Sequence, residues 1–289
     1  VRLLLFATLV LGHQEGDSLS DLLLKLRSDV IEEREDAARR LKAAGKSALP
    51  ALEDAARSAD AELAGRAAEI LSFIHARMGE ELFKKIEERL VQATSLRFEF
   101  RTKIEVKSPT EKQQSGEASG TVTAKGEGMI RLEGHLRDRE QDHPLDAFFA
   151  GGRRWDRSQS GGWSESEASP QARKLLARIL ARVGMFIGLI SSTNRLEERT
   201  SPAWEVGEFS YDPKDPGTLS YQVDPWGKER VRMTLVFDPK TLILRSRRCT
   251  HVFAKEDYQG TQLTLTEEFL QFEYDRDFPD DAFKPPKGK

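Results

Sequence analysis

The chain has 289 residues, 38% hydrophobic and 32% charged, enough apolar material for one large domain or two modest ones. A formal net charge of −3 supplies no global basic field, which argues against nucleic acid as a partner. Cys249 is the only cysteine, so an internal disulfide, a cysteine-based zinc site and an N-terminal lipid-anchoring cysteine are excluded, and Cys249 reads as a buried, inert thiol.

The N-terminus reads VRLLLFATLVLGHQEGDS. Arg2 precedes an apolar run from Leu3 to Gly12, shorter than the ~20 residues that span a bilayer. The layout predicts a signal peptide over residues 1–12, cut before His13. The mature protein is then periplasmic or secreted, bacterial, and without a transmembrane segment. The competing reading is a buried N-terminal helix.

Residues 18–78 carry a helical pattern that repeats. DLLLKLRSDVIEEREDAARRL begins at Asp21 and ALEDAARSADAELAGRAAEIL at Ala51, an offset of 30 residues. Leu22 then meets Leu52, Arg27-Ser28 meets Arg57-Ser58, and Ala37-Ala38 meets Ala67-Ala68. This resembles a pair of HEAT-type helical hairpins, a module that offers a surface to a protein partner. A further amphipathic helix is predicted over 79–95, with Leu82, Phe83, Ile86 and Leu90 on one face.

Strands follow. In LRFEFRTKIEV (96–106), Phe98, Phe100, Ile104 and Val106 share one face, broken only by Thr102, and charged residues fill the other. Hairpins are predicted over 120–134, turning at Gly126 and Gly128; over 145–158, turning at Gly151-Gly152; and over 231–253, turning at Asp238-Pro239. A last long strand spans 261–275. Between them, ASPQARKLLARILARVGMFIGLISS (168–192) predicts one helix with Ser169 as N-cap and Pro170 at its first position. It is either a core helix or a lid across an open sheet face. The cluster His135, Asp138, Glu140, Asp142 and His143 has no recognised metal-ligand spacing and reads as a solvated loop, so no metal is assigned. No nucleophile triad, phosphate loop or dinucleotide fingerprint occurs, and neither a cofactor nor an enzymatic activity is expected.

The order helix, alternating strand, hairpins, inserted helix, hairpin and final strand over residues 79–289 resembles the outer-membrane lipoprotein carrier (LolA-like) superfamily. ATSLRFEF, FFAGGRRWDRS, MTLVFDPKTLILRS and the closing DDAFKPPKGK carry the resemblance. It departs from the carrier where that family has an Arg-Pro after its second strand, the arginine holding the lid; here the residues are Gly126-Glu127. The resemblance implies an α+β fold: N-terminal HEAT-like hairpins, then a curved antiparallel half-barrel with an inserted covering helix. It also implies a non-catalytic protein that holds acyl chains or a lipoprotein in an apolar cavity. The expected wall is Phe98, Phe100, Ile104, Val122, Ile130, Phe149, Leu235 and Phe237. Facing it, the helix should present Leu176, Ile179, Val183, Phe186 and Ile187. The alternative within the same fold is a periplasmic sensor or scaffold that binds a protein and carries no lipid.

Overall fold

The repeat in the sequence returns as a repeat of helices and turns. The computed structural model describes residues 17–109, 113–138, 141–158, 161–185, 205–224, 230–253 and 260–283. The chain divides into two compact units, Val1–Ile74 and His75–Lys289. In the first, α1 (Leu19–Lys25) and α2 (Ile31–Ala44) are followed by α3 (Leu49–Ala55) and by residues 61–74 of α4 (Ala61–Gln92), whose remainder belongs to the second unit. Residue 19 maps to 49 and 31 to 61, both 30 residues on. The turns repeat as well: the Val30 N–H donates to Ser28 Oγ (3.1 Å), and the Asp60 N–H to Ser58 Oγ (3.2 Å). Such local bonding is what makes serine a turn former. Leu22 and Leu52 are buried at equivalent positions, as are Ala37 and Ala67. A capping box between Ser18 and Asp21 opens α1.

The two copies end differently. Gly45, at φ +59°, closes α2 in a left-handed conformation that costs glycine nothing. Thirty residues on stands His75, and there α4 continues to Gln92. The helix expected over 79–95 is therefore the second part of α4. Gly79 is a packing residue rather than a helix start: a Cβ there would lie 3.0 Å from Leu219 Cδ1 and 3.2 Å from the Cβ atoms of Phe209 and Tyr211. Among the described residues no helix is long and apolar enough to cross a membrane.

The second unit is built on antiparallel strands. They are β1 (Ser95–Lys107), β2 (Gln114–Lys125), β3 (Met129–Asp138), β4 (Gln141–Pro144), β5 (Ala147–Ala150), β6 (Arg153–Arg157) and β7 (Trp163–Glu167). After α5 (Ala172–Arg182) come β8 (Val206–Tyr211), β9 (Thr218–Val223), β10 (Val231–Phe237), β11 (Leu244–Val252) and β12 (Gln262–Tyr274). The sheet order is β7-β6-β5-β3-β2-β1-β12-β11-β10-β9-β8, with β4 also paired to β3. Among the described residues the sheet is open, with β7 and β8 at its edges. The fold is α+β, as expected.

The three expected hairpins form as β2–β3, β5–β6 and β10–β11. Of the cluster His135–His143, His135 and Asp138 lie in β3 and Asp142 and His143 in β4 rather than in a loop, while Glu140 lies outside the described residues. Leu136 keeps the alternation of β3 going, and the strand pairs with β4 through Leu136–His143 and Arg137–Asp142. The inserted helix also differs from expectation. It starts at Ala172, and Ser169 instead accepts the Gln171 N–H in the preceding turn (3.2 Å). It stops at Arg182 because Gly184 takes φ +85°. Of the expected continuation, residues 186–192 lie outside the described residues.

At the β10–β11 turn, Asp238 Oδ1 accepts from the backbone N–H groups of Lys240 and Thr241, both at 3.0 Å. These bonds, with a smaller contribution from Arg245, hold its carboxyl at about 2, below the ordinary 3.8. A depressed folded-state pKa stabilises the native state fully above the unfolded value and loses that contribution as pH falls through the folded one. Acid unfolding of the Asp238→Ala variant, followed by circular dichroism, should therefore show a shallower decline between about pH 4 and pH 2 than the parent.

Candidate functional site

The inner face of the sheet is set by the alternation of β1. Leu96, Phe98, Phe100 and Thr102 are buried, whereas Ile104 and Val106 are only half-buried. Register carries this face across the sheet. Phe98 opposes Val122 and Phe100 opposes Gly120 on one side, while Phe100 opposes Phe269 on the other. A bulge opposite Arg97 and Glu99, with Gln271 at φ +47°, inserts one residue into β12. Phe269 and Phe272 thereby both reach Phe98. Phe272 stacks on it at 4.9 Å and 11°, and Phe269 meets it edge-on at 5.9 Å.

Phe98, Phe100, Val122, Ile130, Leu176, Ile179, Val183, Leu235 and Phe237 all lie in one buried cluster, and Phe149 packs against it partly exposed. Ile104 lies apart from that cluster, half-buried. Phe186 and Ile187 lie outside the described residues.

A polar row crosses this apolar face. Arg247 opposes Leu235 on one side and Glu267 on the other; Glu267 opposes Thr102, and Thr102 opposes Ala118. Thus the single break in the alternation of β1 stands beside a carboxylate. Arg247 and Glu267 are both fully buried, with Nη1 and Oε2 3.5 Å apart. Arg247 also donates to the carbonyls of Leu180 and, at 2.9 Å, Ala181. These carbonyls have no partner within the helix, and they form the negative end of its dipole. The Tyr221 hydroxyl lies 2.9 Å from the Ala181 carbonyl and 3.0 Å from that of Arg182. Burial pushes the Tyr221 phenol up from its ordinary pKa. Gly184 completes the junction: a Cβ there would sit 1.9 Å from Glu267 Oε2 and 2.5 Å from Arg247 Nη1.

The other end of α5 is held by the reverse arrangement. The buried Arg173 of α5 donates to Leu90 and Val91 carbonyls in the last turn of α4, at 3.3 and 2.6 Å. Desolvation lowers its pKa. Back at the C-terminal end of α5, Arg182 forms a forked pair with Glu87, at 2.7 and 3.2 Å. The Arg173 N–H donates to the Glu127 carbonyl (3.0 Å) and the Glu127 carboxylate lies 3.6 Å from Lys174 Nζ, so Gly126-Glu127 does touch the inserted helix. An arginine does hold the end of that helix, but it comes from β11.

Beyond the polar row the inner face is less covered. Ile104, Val106 and Leu263 are half-buried, and Gly116 stands opposite Ile104 without a side chain; Leu136, in line with the row beside Ala118, packs against the buried cluster. Leu265 and Cys249 are buried beside them; burial pushes the Cys249 thiol up to about 12, an inert state. On the outer face, a cleft of about 650 Å³ is lined by polar residues including Glu133, His135, Asp142, Asp146 and Arg157. Among the described residues no three His, Cys, Asp or Glu side chains converge as metal ligands.

The polar row is the feature that the sequence pattern left unnamed. Its signal was present as charges at apolar parity: Glu267 between Leu265 and Phe269, and Arg247 two residues before Cys249.

No family model and no curated protein matches the sequence. Among solved structures the chain is similar to LprF from Mycobacterium bovis, at 10% identity over 73% of this chain and 98% of that one, TM-score 0.35. It is similar to the LolA superfamily protein NE2245 from Nitrosomonas europaea, at 9% identity over 72% and 97%, TM-score 0.33. MucB aligns at 14% identity over 73% of this chain and 64% of its own, TM-score 0.27. Scores this low carry no functional argument.

Proposed function

We propose that the sheet unit holds an acyl chain, free or attached to a lipoprotein, against the half-covered strip formed by Ile104, Val106 and Leu263. The observation that carries this reading is the division of the inner face at the polar row. On one side, aromatic and aliphatic side chains are mostly buried in one cluster, which continues past the row through Met233, Cys249 and Leu265. Next to these, on β1 and the start of β12, Ile104, Val106 and Leu263 on the same face remain partly uncovered. Each methylene removed from water contributes about 0.8 kcal/mol, so a strip of this kind gains affinity from chain length alone. Binding by burial needs no acid, base or nucleophile, and the protein acts as a holder rather than an enzyme. The α5 helix is its cover, held by hydrogen bonds from Arg247 to backbone carbonyls. An exported location suits this role and rests on the apolar run of residues 1–12, which lie outside the described residues.

One observation favours a second reading, the protein-binding sensor or scaffold without lipid. Most of the expected wall is solid core, and α5 is held at both ends. Organic extraction of the protein purified from its native host, followed by mass spectrometry, separates the two. Co-purifying acyl species in near-stoichiometric amount are expected for the holder. Their absence, with no uptake of added fatty acid, leaves the scaffold.

A further inference from the structure

The helical repeat of the first unit contains its own control experiment. At the corner between α1 and α2, Leu24, Val30 and Ile31 are 65%, 48% and 56% exposed. They are three of the five exposed large hydrophobic residues among the described ones. Thirty residues on, at the same places in the second copy, stand Asp54, Asp60 and Ala61. The second copy builds the same serine-bonded turn without them, so the fold does not require apolar side chains there. Of three surrounding charges in the first copy, the second keeps one, and that one is paired. Asp29, Glu32 and Glu35 are exposed and make no ion pair with the described residues, and their counterparts are Ala59, Glu62 and Gly65, of which Glu62 is paired with Arg66.

The first copy thus carries an apolar knob with an acidic border that the second copy lacks. Exposed apolar residues rimmed by polar ones mark interaction sites. The sign of the border chooses the partner, because like charges across an interface are repelled and opposite ones steer encounter. We propose that the α1–α2 corner docks a basic amphipathic segment of a partner protein, its apolar face on Leu24, Val30 and Ile31 and its Lys or Arg residues against Asp29, Glu32 and Glu35. An anionic membrane surface is repelled by the same carboxylates. The surface is independent of whether the sheet unit takes lipid.

The test uses the full chain and a fluorescently labelled helical model peptide of Leu and Lys at i, i+3, i+4 spacing, with a Leu/Glu peptide of the same pattern as its counterpart. Saturable binding of the Leu/Lys peptide is expected, weakening as salt rises, with none of the Leu/Glu peptide. Leu24→Ser combined with Ile31→Ser should weaken it by about tenfold or more, since truncating a central contact typically costs that much. Glu32→Lys combined with Glu35→Lys should weaken it similarly while lowering the melting temperature only slightly, the small loss coming from a cation in the first turn of α2. Equal binding of both peptides, no binding, or insensitivity to either pair of substitutions overturns the proposal. So does concentration-dependent self-association abolished by Ile31→Ser, which would make a second copy the occupant. Co-sedimentation with phosphatidylcholine vesicles lost in the same variant would overturn it too, in favour of a lipid surface.

Discussion

Replacing Glu267 with Leu is expected to cost about 3–5 kcal/mol of stability, among the largest effects of any single change in the sheet unit. The reason is what remains. Arg247 is fully buried, and without the carboxylate its guanidinium keeps only the carbonyls of Leu180 and Ala181 and the Tyr221 neighbourhood as compensation. A buried charge that loses its partner is penalised far more than the pair itself stabilises. Adding Arg247→Met to Glu267→Leu should therefore recover much of the loss, although α5 then ends on uncapped carbonyls. Urea unfolding of both single variants and the double variant closes the cycle. A double variant destabilised by the sum of the two single-variant losses would show that the pair is not energetically coupled.

Phe98→Ala is expected to cost a similar ~3–5 kcal/mol, by a different mechanism. Phe98 is fully buried, stacked on Phe272 and met edge-on by Phe269. Truncation leaves a cavity between β1 and β12, and the bulge at Gln271 that brings both rings to one face has no easy way to close it. Denaturant unfolding measures the loss. A change below about 1 kcal/mol would mean that this part of the inner face is loosely filled, as a cavity wall would be.

Much of this architecture was legible from local pattern. The alternation of residues 96–106, the turns at Gly126, Gly151 and Asp238, and the 30-residue repeat are all properties of short stretches, and all have structural counterparts. What escaped depends on partners distant in sequence. Glu267 and Arg247 look like ordinary alternating charges until register places them opposite each other and beside Thr102. The end of α5 was hidden because VGMFIGLI is apolar throughout; Gly184 is a stop there, in contact with a carboxylate more than eighty residues away. Gly79 misled in the opposite direction, marking close approach of α4 to Leu219, Phe209 and Tyr211 rather than a helix boundary. The strand β8 escaped because its register is shifted between Gly207 and Ser210, where Glu208 takes φ +48° and breaks the period of two. For the candidate site, the face was readable but its coverage was not. Whether an inward apolar residue is packed or half-covered depends on where α4 and α5 lie, and period alone does not carry that.

The central claim, that the half-covered strip receives an acyl chain, is tested most directly by Ile104→Glu. Ile104 sits beyond the polar row, half-buried and outside the packed cluster, so the carboxylate can reach water, and the change should cost less than about 1.5 kcal/mol. A charge against the ligand's methylenes is a different matter, since it must be desolvated when the chain binds. The measurement is equilibrium binding of a fluorescent fatty-acyl probe to the parent and to Ile104→Glu, with a melting curve for each. Saturable binding by the parent, weakened at least about tenfold in the variant at nearly unchanged melting temperature, is the predicted result. No saturable binding by the parent, or equal binding by both, would contradict it.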